Sequence, residues 1–431
     1  MNSSRRSFLH SAGILATAVL AKPTVALAEQ TETTPKPTPE PIAKLKSRKS
    51  EAKPITTEER RQRLERARQL MVEKKLDAIM VMGGTSLVYF TAIRWFMSER
   101  TFALILPTKG EPFYVCPAFE EDRAQEQIVG GLGTSNAELR LWQEDESPYQ
   151  RIAEGLKDRG LSAARLGAEE TVRYVFSEGV GKAAPALEVV SATPVTAGCR
   201  MIKSAHELQL MTLANQVTLA AYEAAYLSTK EGMTQHDFGQ MVSIAHDRQG
   251  FPGGASIQVG ENSALPHGSA KPQVIREGTI LLMDGGCRVE DYESDISRTV
   301  VLGKPTDKMK QVFEIVHRAQ TAALAAARPA AQCQSVDVAA RKVISDAGYG
   351  PDYKYFTHRL GHGIGMDGHE WPYLVRGNTL ALAPNMCFSD EPGIYIRGEF
   401  GVRLEDDMHI TENGAELFTP QSPTLENPFG K

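Results

Sequence analysis

The chain has 431 residues, 42% of them hydrophobic and 23% charged, a balance that fits a soluble globular protein with two or three separately cored domains. Its 48 Lys and Arg against 53 Asp and Glu give a formal net charge of -5, so no nucleic-acid partner is expected. None of the five cysteines sits in a Cys-x-x-Cys pair, which excludes a zinc ribbon or thioredoxin-type site and predicts buried free thiols.

Residues 1–28 are predicted to be a twin-arginine export signal. Arg5 and Arg6 precede an apolar run, residues 12–20, that is too short to span a bilayer. Ala26-Leu27-Ala28 then offers a small-residue cleavage site. The mature protein is therefore expected to be periplasmic or secreted, with no stable membrane anchor. Residues 29–55, rich in Thr, Pro, Lys and Glu, read as a disordered linker.

Order is predicted from Thr56, whose hydroxyl can cap a helix while Glu59 reaches back to its N–H. Leu64, Ala67 and Met71 share one face of that helix. Strand-like runs follow at 78–82, 102–106 and 113–115, so residues 56–198 form an α/β domain with no chemical motif of their own. A second domain, 199–425, opens with a capping box at Ser204 and Glu207 and another helix start at Thr234 and Asp237. Strand-rich stretches then alternate with helices near 307–327 and 335–347, and the tail is strand and turn, an α+β pattern.

The chemistry lies in that second domain. An apolar strand ends in Asp284, and Asp295 follows eleven residues later on what reads as the returning strand. Hairpin pairing is expected to set the two carboxylates side by side on one face. Then come His358, His362 and His369 around a Gly-His-Gly-Ile-Gly run, Glu391 in Glu-Pro-Gly-Ile-Tyr, and Glu405 in Val-Arg-Leu-Glu-Asp. Two unit charges about 4 Å apart repel by roughly 4 kcal/mol at an effective dielectric near 20. Four converging carboxylates therefore call for divalent cations, and mostly oxygen ligands with one imidazole favour Mn²⁺, Co²⁺ or Fe²⁺ over a thiolate-type zinc site.

In this order and these contexts, Asp284, Asp295, His362, Glu391 and Glu405 resemble the five ligands of the pita-bread metallopeptidases. That family includes Xaa-Pro aminopeptidase, prolidase and methionine aminopeptidase. The match runs from about Ser204 to Gly414, and the preceding unit resembles the creatinase-like N-terminal domain of the proline-directed branch. The resemblance implies an α/β N-terminal domain followed by an α+β pita-bread catalytic domain holding two divalent ions, Mn²⁺ first, with Co²⁺, Fe²⁺ or Zn²⁺ as alternatives. It implies hydrolysis of Xaa-Pro bonds in proline-containing peptides or dipeptides by a homo-oligomer, dimer or tetramer. A hydrolase or lyase of a small metabolite on the same scaffold is the alternative.

The resemblance also assigns His267 to the substrate side of the metals and His369 to the reacting amide. His358 and Arg403 match the proline-directed branch, and Glu391 doubles as proton shuttle. Arg298 is expected in an internal ion pair, and Asp406 and Asp407 as solvated or supporting groups. His206, His236, His246, His317 and His409 are expected to be structural, and Arg376 is a candidate anchor for a dipeptide carboxylate. Asn385 stands where the family often has Gly.

Overall fold

The computed structural model describes residues 37–133 and 136–430. The expected export signal, 1–28, and the start of the linker, 29–36, lie outside the described residues. No helix among the described residues is long and apolar enough to cross a membrane.

The expectation of a disordered linker as far as residue 55 is corrected. A short helix, Glu40–Ala43, carries Pro41 in its first turn, and a 3₁₀ turn follows at Lys49–Glu51. Ile42 is fully buried among Ala221, Tyr222 and Val242, and Ile55 enters the core of the next domain. Arg248 donates to the Ala43 carbonyl at 2.8 Å, and Arg48 to the Gln216 side chain at 2.9 Å. Two isoleucines thus anchor a segment whose average composition is that of a linker, because burial acts on single side chains.

The α/β domain starts on helix Thr57–Lys74, with both halves of the Thr56–Glu59 capping box formed. Its sheet has six strands in the spatial order Glu138–Trp142, Phe113–Pro117, Ala103–Pro107, Ala78–Met82, Arg165–Ala168, Glu188–Ser191. The central strands are buried at every position because helices cover both faces. Ile79, Val81 and Leu104 pack against Leu64 and Met71 on one side. Met80, Ile105 and Val115 pack against Ile152 and Val180 on the other.

The two larger sheets of the second domain are each backed by a helix pair. Helices Ala205–Leu227 and Gln235–Gln249 cover a three-stranded sheet ordered Ile296–Val301, Ile280–Gly285, Ser256–Val259. Helices Asp307–Ala326 and Cys333–Asp346 cover a five-stranded sheet containing Gly361–Gly363, Cys387–Asp390 and Asp406–Ile410. The Glu405 N–H donates to the Ser297 carbonyl at 3.2 Å, joining the two sheets where the acids gather. All five cysteines are free and buried, as expected. Asn385 sits at φ 68°, a left-handed conformation that Asn tolerates almost as glycine does.

Candidate metal centre

Asp284 closes the strand Ile280–Gly285, and the hairpin returns as Ile296–Val301. The pairing differs from the expectation by two residues, with Ser297 opposite Asp284. The cause is the tight turn at Glu290 and Asp291, both at positive φ (46° and 71°), which pairs Val289 with Tyr292 and so fixes the register. A shift of two keeps the face, so Asp295 is the diagonal neighbour of Asp284 and still meets it. Gly286 is required in this hairpin, since a Cβ there would lie 1.8 Å from the Ser294 carbonyl oxygen.

The other three ligand candidates come from the second sheet. His362 lies on Gly361–Gly363, and its N–H bonds the Ser389 hydroxyl at 3.0 Å. Gly361 lets that strand approach: a Cβ there would meet the Ser389 carbonyl oxygen at 2.0 Å. Glu391 follows strand Cys387–Asp390, and Glu405 links Phe400–Arg403 to Asp406–Ile410.

All five converge. Ligand atoms of Asp284, Asp295 and Glu405 lie within 4.8 Å of one another, as do those of His362, Glu391 and Glu405. Asp295 also groups with His362 and His369. Glu405 and His362 are each 2% exposed in their side chains, whereas Asp295 and Asp284 keep 20% and 28%, so the centre opens on the Asp284 side. A cavity of about 450 Å³, lined by Gly253, Gly285 and Glu293, reaches Asp295.

The electrostatics fit a cation. Burial pushes the Asp295, Glu391 and Glu405 carboxyls well above the usual carboxylate range, and their mutual repulsion adds to it. His362 Nδ1 donates to the Gly363 carbonyl at 3.1 Å, which leaves the Nε2 lone pair facing Glu391 at 3.3 Å and Asp295 at 3.9 Å. Burial and the adjacent His369 hold the His362 imidazole neutral, its pKa lowered to about 3. An unprotonated imidazole nitrogen aimed into crowded carboxylates is the donor set of a divalent ion.

The remaining predicted residues surround this centre. The His369 ring stacks on His362 with centroids 3.7 Å apart and planes 15° from parallel. Arg403 donates to the Ser297 hydroxyl at 2.9 Å, the Tyr395 hydroxyl at 3.0 Å and the Pro266 carbonyl at 3.1 Å, and pairs with Asp284 at 2.7 Å. His358 Nε2 lies 2.7 Å from the Tyr395 hydroxyl, and its Nδ1 lies 3.8 Å from Glu391. His267 is exposed beside Pro266 and faces both His358 and His369 closely enough to lower their pKa values.

Arg298 makes the internal ion pair expected of it, 2.6 Å from Asp406 with both side chains fully buried. Asp406 and Asp407 are not solvated, and Asp407 accepts the Asp295 N–H at 2.9 Å. Arg376 does not reach the centre; it pairs with Asp352 at 2.8 Å on the surface. His206 bonds Glu59 and His246 bonds Thr218, contacts that hold helices rather than the site. Sequence reasoning missed Ser297, whose hydroxyl lies 2.8 Å from Asp284 and 2.6 Å from Glu405, and Tyr395. The signal was available, since Ser297 stands two residues after Asp295 on a strand and so shares its face.

Two family models match the chain: Metallopeptidase family M24 over residues 209–412, and the Creatinase/Prolidase N-terminal domain over 63–202. The chain is 32% identical to the Xaa-Pro dipeptidase of Lactobacillus delbrueckii subsp. lactis, over 84% of this chain and 98% of that protein. It is 31% identical to the Xaa-Pro dipeptidase of Pyrococcus horikoshii, over 81% and 95%. The crystal structure of dipeptidase PepE from Mycobacterium ulcerans superposes with a TM-score of 0.80 at 32% identity, covering 85% of this chain and 97% of that one. Five converging ligand candidates, a pita-bread arrangement of sheets and relatives that span nearly the whole fold lead to one conclusion: the chain belongs to metallopeptidase family M24, with a creatinase/prolidase-type N-terminal domain.

Proposed function

We propose that this chain is a dinuclear Xaa-Pro dipeptidase. The observation that carries the reading is the pair of ligand triads sharing Glu405, which supports two adjacent ion positions rather than one. Relatives named Xaa-Pro dipeptidase, 31–32% identical over 95–98% of their length, support the substrate class. Mn²⁺ is the proposed metal, from the oxygen-rich donor set. Bound ions would supply an acidic water as nucleophile and polarise the scissile carbonyl.

The chain's own residues do the rest. Glu391 takes the proton of the attacking water and delivers it to the prolyl nitrogen, a role that its place between His362 and His358 suits. His369 and His267 donate hydrogen bonds to the reacting amide and the developing oxyanion. The line from Arg403 through Tyr395 to His358 fixes the wall next to Glu391.

The same reading includes export by the twin-arginine route and a homo-oligomer. The deciding experiment compares Mn²⁺-loaded enzyme on an Xaa-Pro dipeptide and on the same sequence extended by one residue. A dipeptide preference of at least about tenfold in kcat/KM, or 1.4 kcal/mol, is expected. The reverse preference would make the enzyme an aminopeptidase.

A further inference from the structure

His369 has an unusual support. No hydrogen bond holds its ring among the described residues; only the stack on His362 does. Asp367, two residues before it, and Glu370, directly after it, are by contrast tied down by charge. Glu370, with 6% of its side chain exposed, places Oε2 2.5 Å from Arg200 Nη2 and Oε1 2.6 Å from Lys203 Nζ. Asp367 pairs with the same Arg200 nitrogen at 2.6 Å and accepts the Thr85 hydroxyl at 2.6 Å.

Gly365 lies over this cluster, and a Cβ there would strike Glu370 Oε1 at 2.6 Å and Lys203 Nζ at 3.0 Å. Its carbonyl accepts the Glu293 N–H at 2.7 Å, two residues before Asp295. The segment 365–370 is therefore pinned at both ends, and its free member is His369.

Arg200 and Lys203 come from the junction of the domains: Arg200 ends helix Thr193–Arg200, and Lys203 precedes the cap of helix Ala205–Leu227. Both are buried, at 6% and 2% exposure. Burying two cations and a carboxylate costs several kcal/mol of desolvation per ion, and apolar residues of similar volume often hold an interface at least as well. Stability alone does not account for the cluster. Fixing a neighbouring group in one orientation does, since a misplacement of about 1 Å at a reacting centre costs on the order of a hundredfold in rate.

We propose that Glu370, clamped by Arg200 and Lys203, is the positioning residue of His369, so that the domain junction acts on catalysis through this loop. The proposal rests on His369 contacting the reacting amide, and the experiment separates the two. Glu370→Gln, His369→Ala and the double variant are compared as Mn²⁺-loaded enzymes on an Xaa-Pro dipeptide, with metal content measured alongside. Glu370→Gln is expected to lower kcat about ten- to a hundredfold with KM and metal content nearly unchanged. In the His369→Ala background the same change should cost no more than about twofold, because the group it positions is gone. Hydrogen exchange of the metal-free protein should speed up in the peptide around 361–374 and stay unchanged in helix Asp307–Ala326.

Equal losses in both backgrounds, or an unchanged kcat in Glu370→Gln, would overturn the proposal. A His369→Ala enzyme with normal kcat would remove the role of His369 itself, and the proposal with it. Should Glu370→Gln fold poorly, Asp367→Asn tests the same clamp from a side chain that is 40% exposed, with the same background dependence expected at smaller size.

Discussion

Arg403 sets its Nη2 2.7 Å from Oδ2 of Asp284, while Ser297 bonds the other Asp284 oxygen at 2.8 Å. The carboxylate is thereby held at both atoms before any ion arrives, and the same guanidinium orders Tyr395. Lysine cannot reproduce this, because its ammonium lacks the planar fork that serves Asp284, Ser297 and Tyr395 together. Arg403→Lys should lower kcat by about ten- to a hundredfold, the usual cost of disturbing partners that orient ligands. Steady-state kinetics with metal content measured in parallel check this. A normal kcat would mean that Asp284 is held well enough by Ser297 alone.

Asp295 belongs to two of the ligand groups at once, one with Asp284 and Glu405 and one with His362 and His369. Asp295→Asn keeps the shape and removes the charge. Reconstituted wild-type protein should carry close to two divalent ions per chain, and Asp295→Asn no more than about one. Elemental analysis after gel filtration reads this directly. Two ions retained by the variant would show that Asp295 is not shared between them.

Most of the centre was legible in the sequence, because its ligands sit in short motifs whose local geometry is fixed by glycines and strand alternation. Asp284 and Asp295 were correctly placed on one face although their register was off, since a slip of two residues preserves the face and a slip of one does not. What stayed hidden depended on contacts between distant segments. The Arg200–Glu370 pair joins positions 170 residues apart, and nothing local marks either partner. Ile42 was masked for a different reason: one buried side chain does not change the average of a polar stretch.

That segment gives the third expectation. Ile42 is fully buried against helices Ala205–Leu227 and Gln235–Gln249, whose other faces carry the sheet with Asp284. Ile42→Ala should destabilise the protein by about 2–5 kcal/mol, the range for large-to-small core changes. Chemical denaturation of the metal-free protein measures it. A change within about 0.5 kcal/mol would mean that residues 39–55 pack too loosely to contribute.

His246 gives a pH dependence away from the metals. Burial lowers its pKa from 6.5 to about 4, and its contacts are the Val242 carbonyl at 2.9 Å and the Thr218 hydroxyl at 3.3 Å. The unfolded chain takes up a proton as pH falls through 6.5, while the folded chain resists until about 4. Its contribution is therefore complete above pH 6.5 and is lost on acidification across that window, by roughly 3 kcal/mol in all. In chelator-treated protein, His246→Gln should flatten the fall of Tm between pH 6.5 and 4 without changing the slope above 6.5. Parallel curves for the two proteins would assign the acid sensitivity to other groups.

Proline specificity is the prediction with the most chemistry behind it. A prolyl nitrogen carries no hydrogen, so a peptidase that orients its substrate through that N–H loses its grip at proline. A centre that works on Xaa-Pro must instead locate the carbonyl of Xaa and protonate the tertiary nitrogen from the right side. On the proposed reading His369, stacked on His362, and His267 take the first task, and Glu391, 3.8 Å from His358, takes the second. Replacing proline by alanine leaves both sets of contacts available but removes the ring that fills the site and fixes φ. The alanine peptide must then be ordered at the cost of its own backbone freedom, about 1–2 kcal/mol for one residue. Mn²⁺-loaded enzyme should therefore cleave Xaa-Pro at least about tenfold faster, in kcat/KM, than the matched Xaa-Ala dipeptide. Equal rates on the two series would withdraw the proline specificity and leave the metallopeptidase in place.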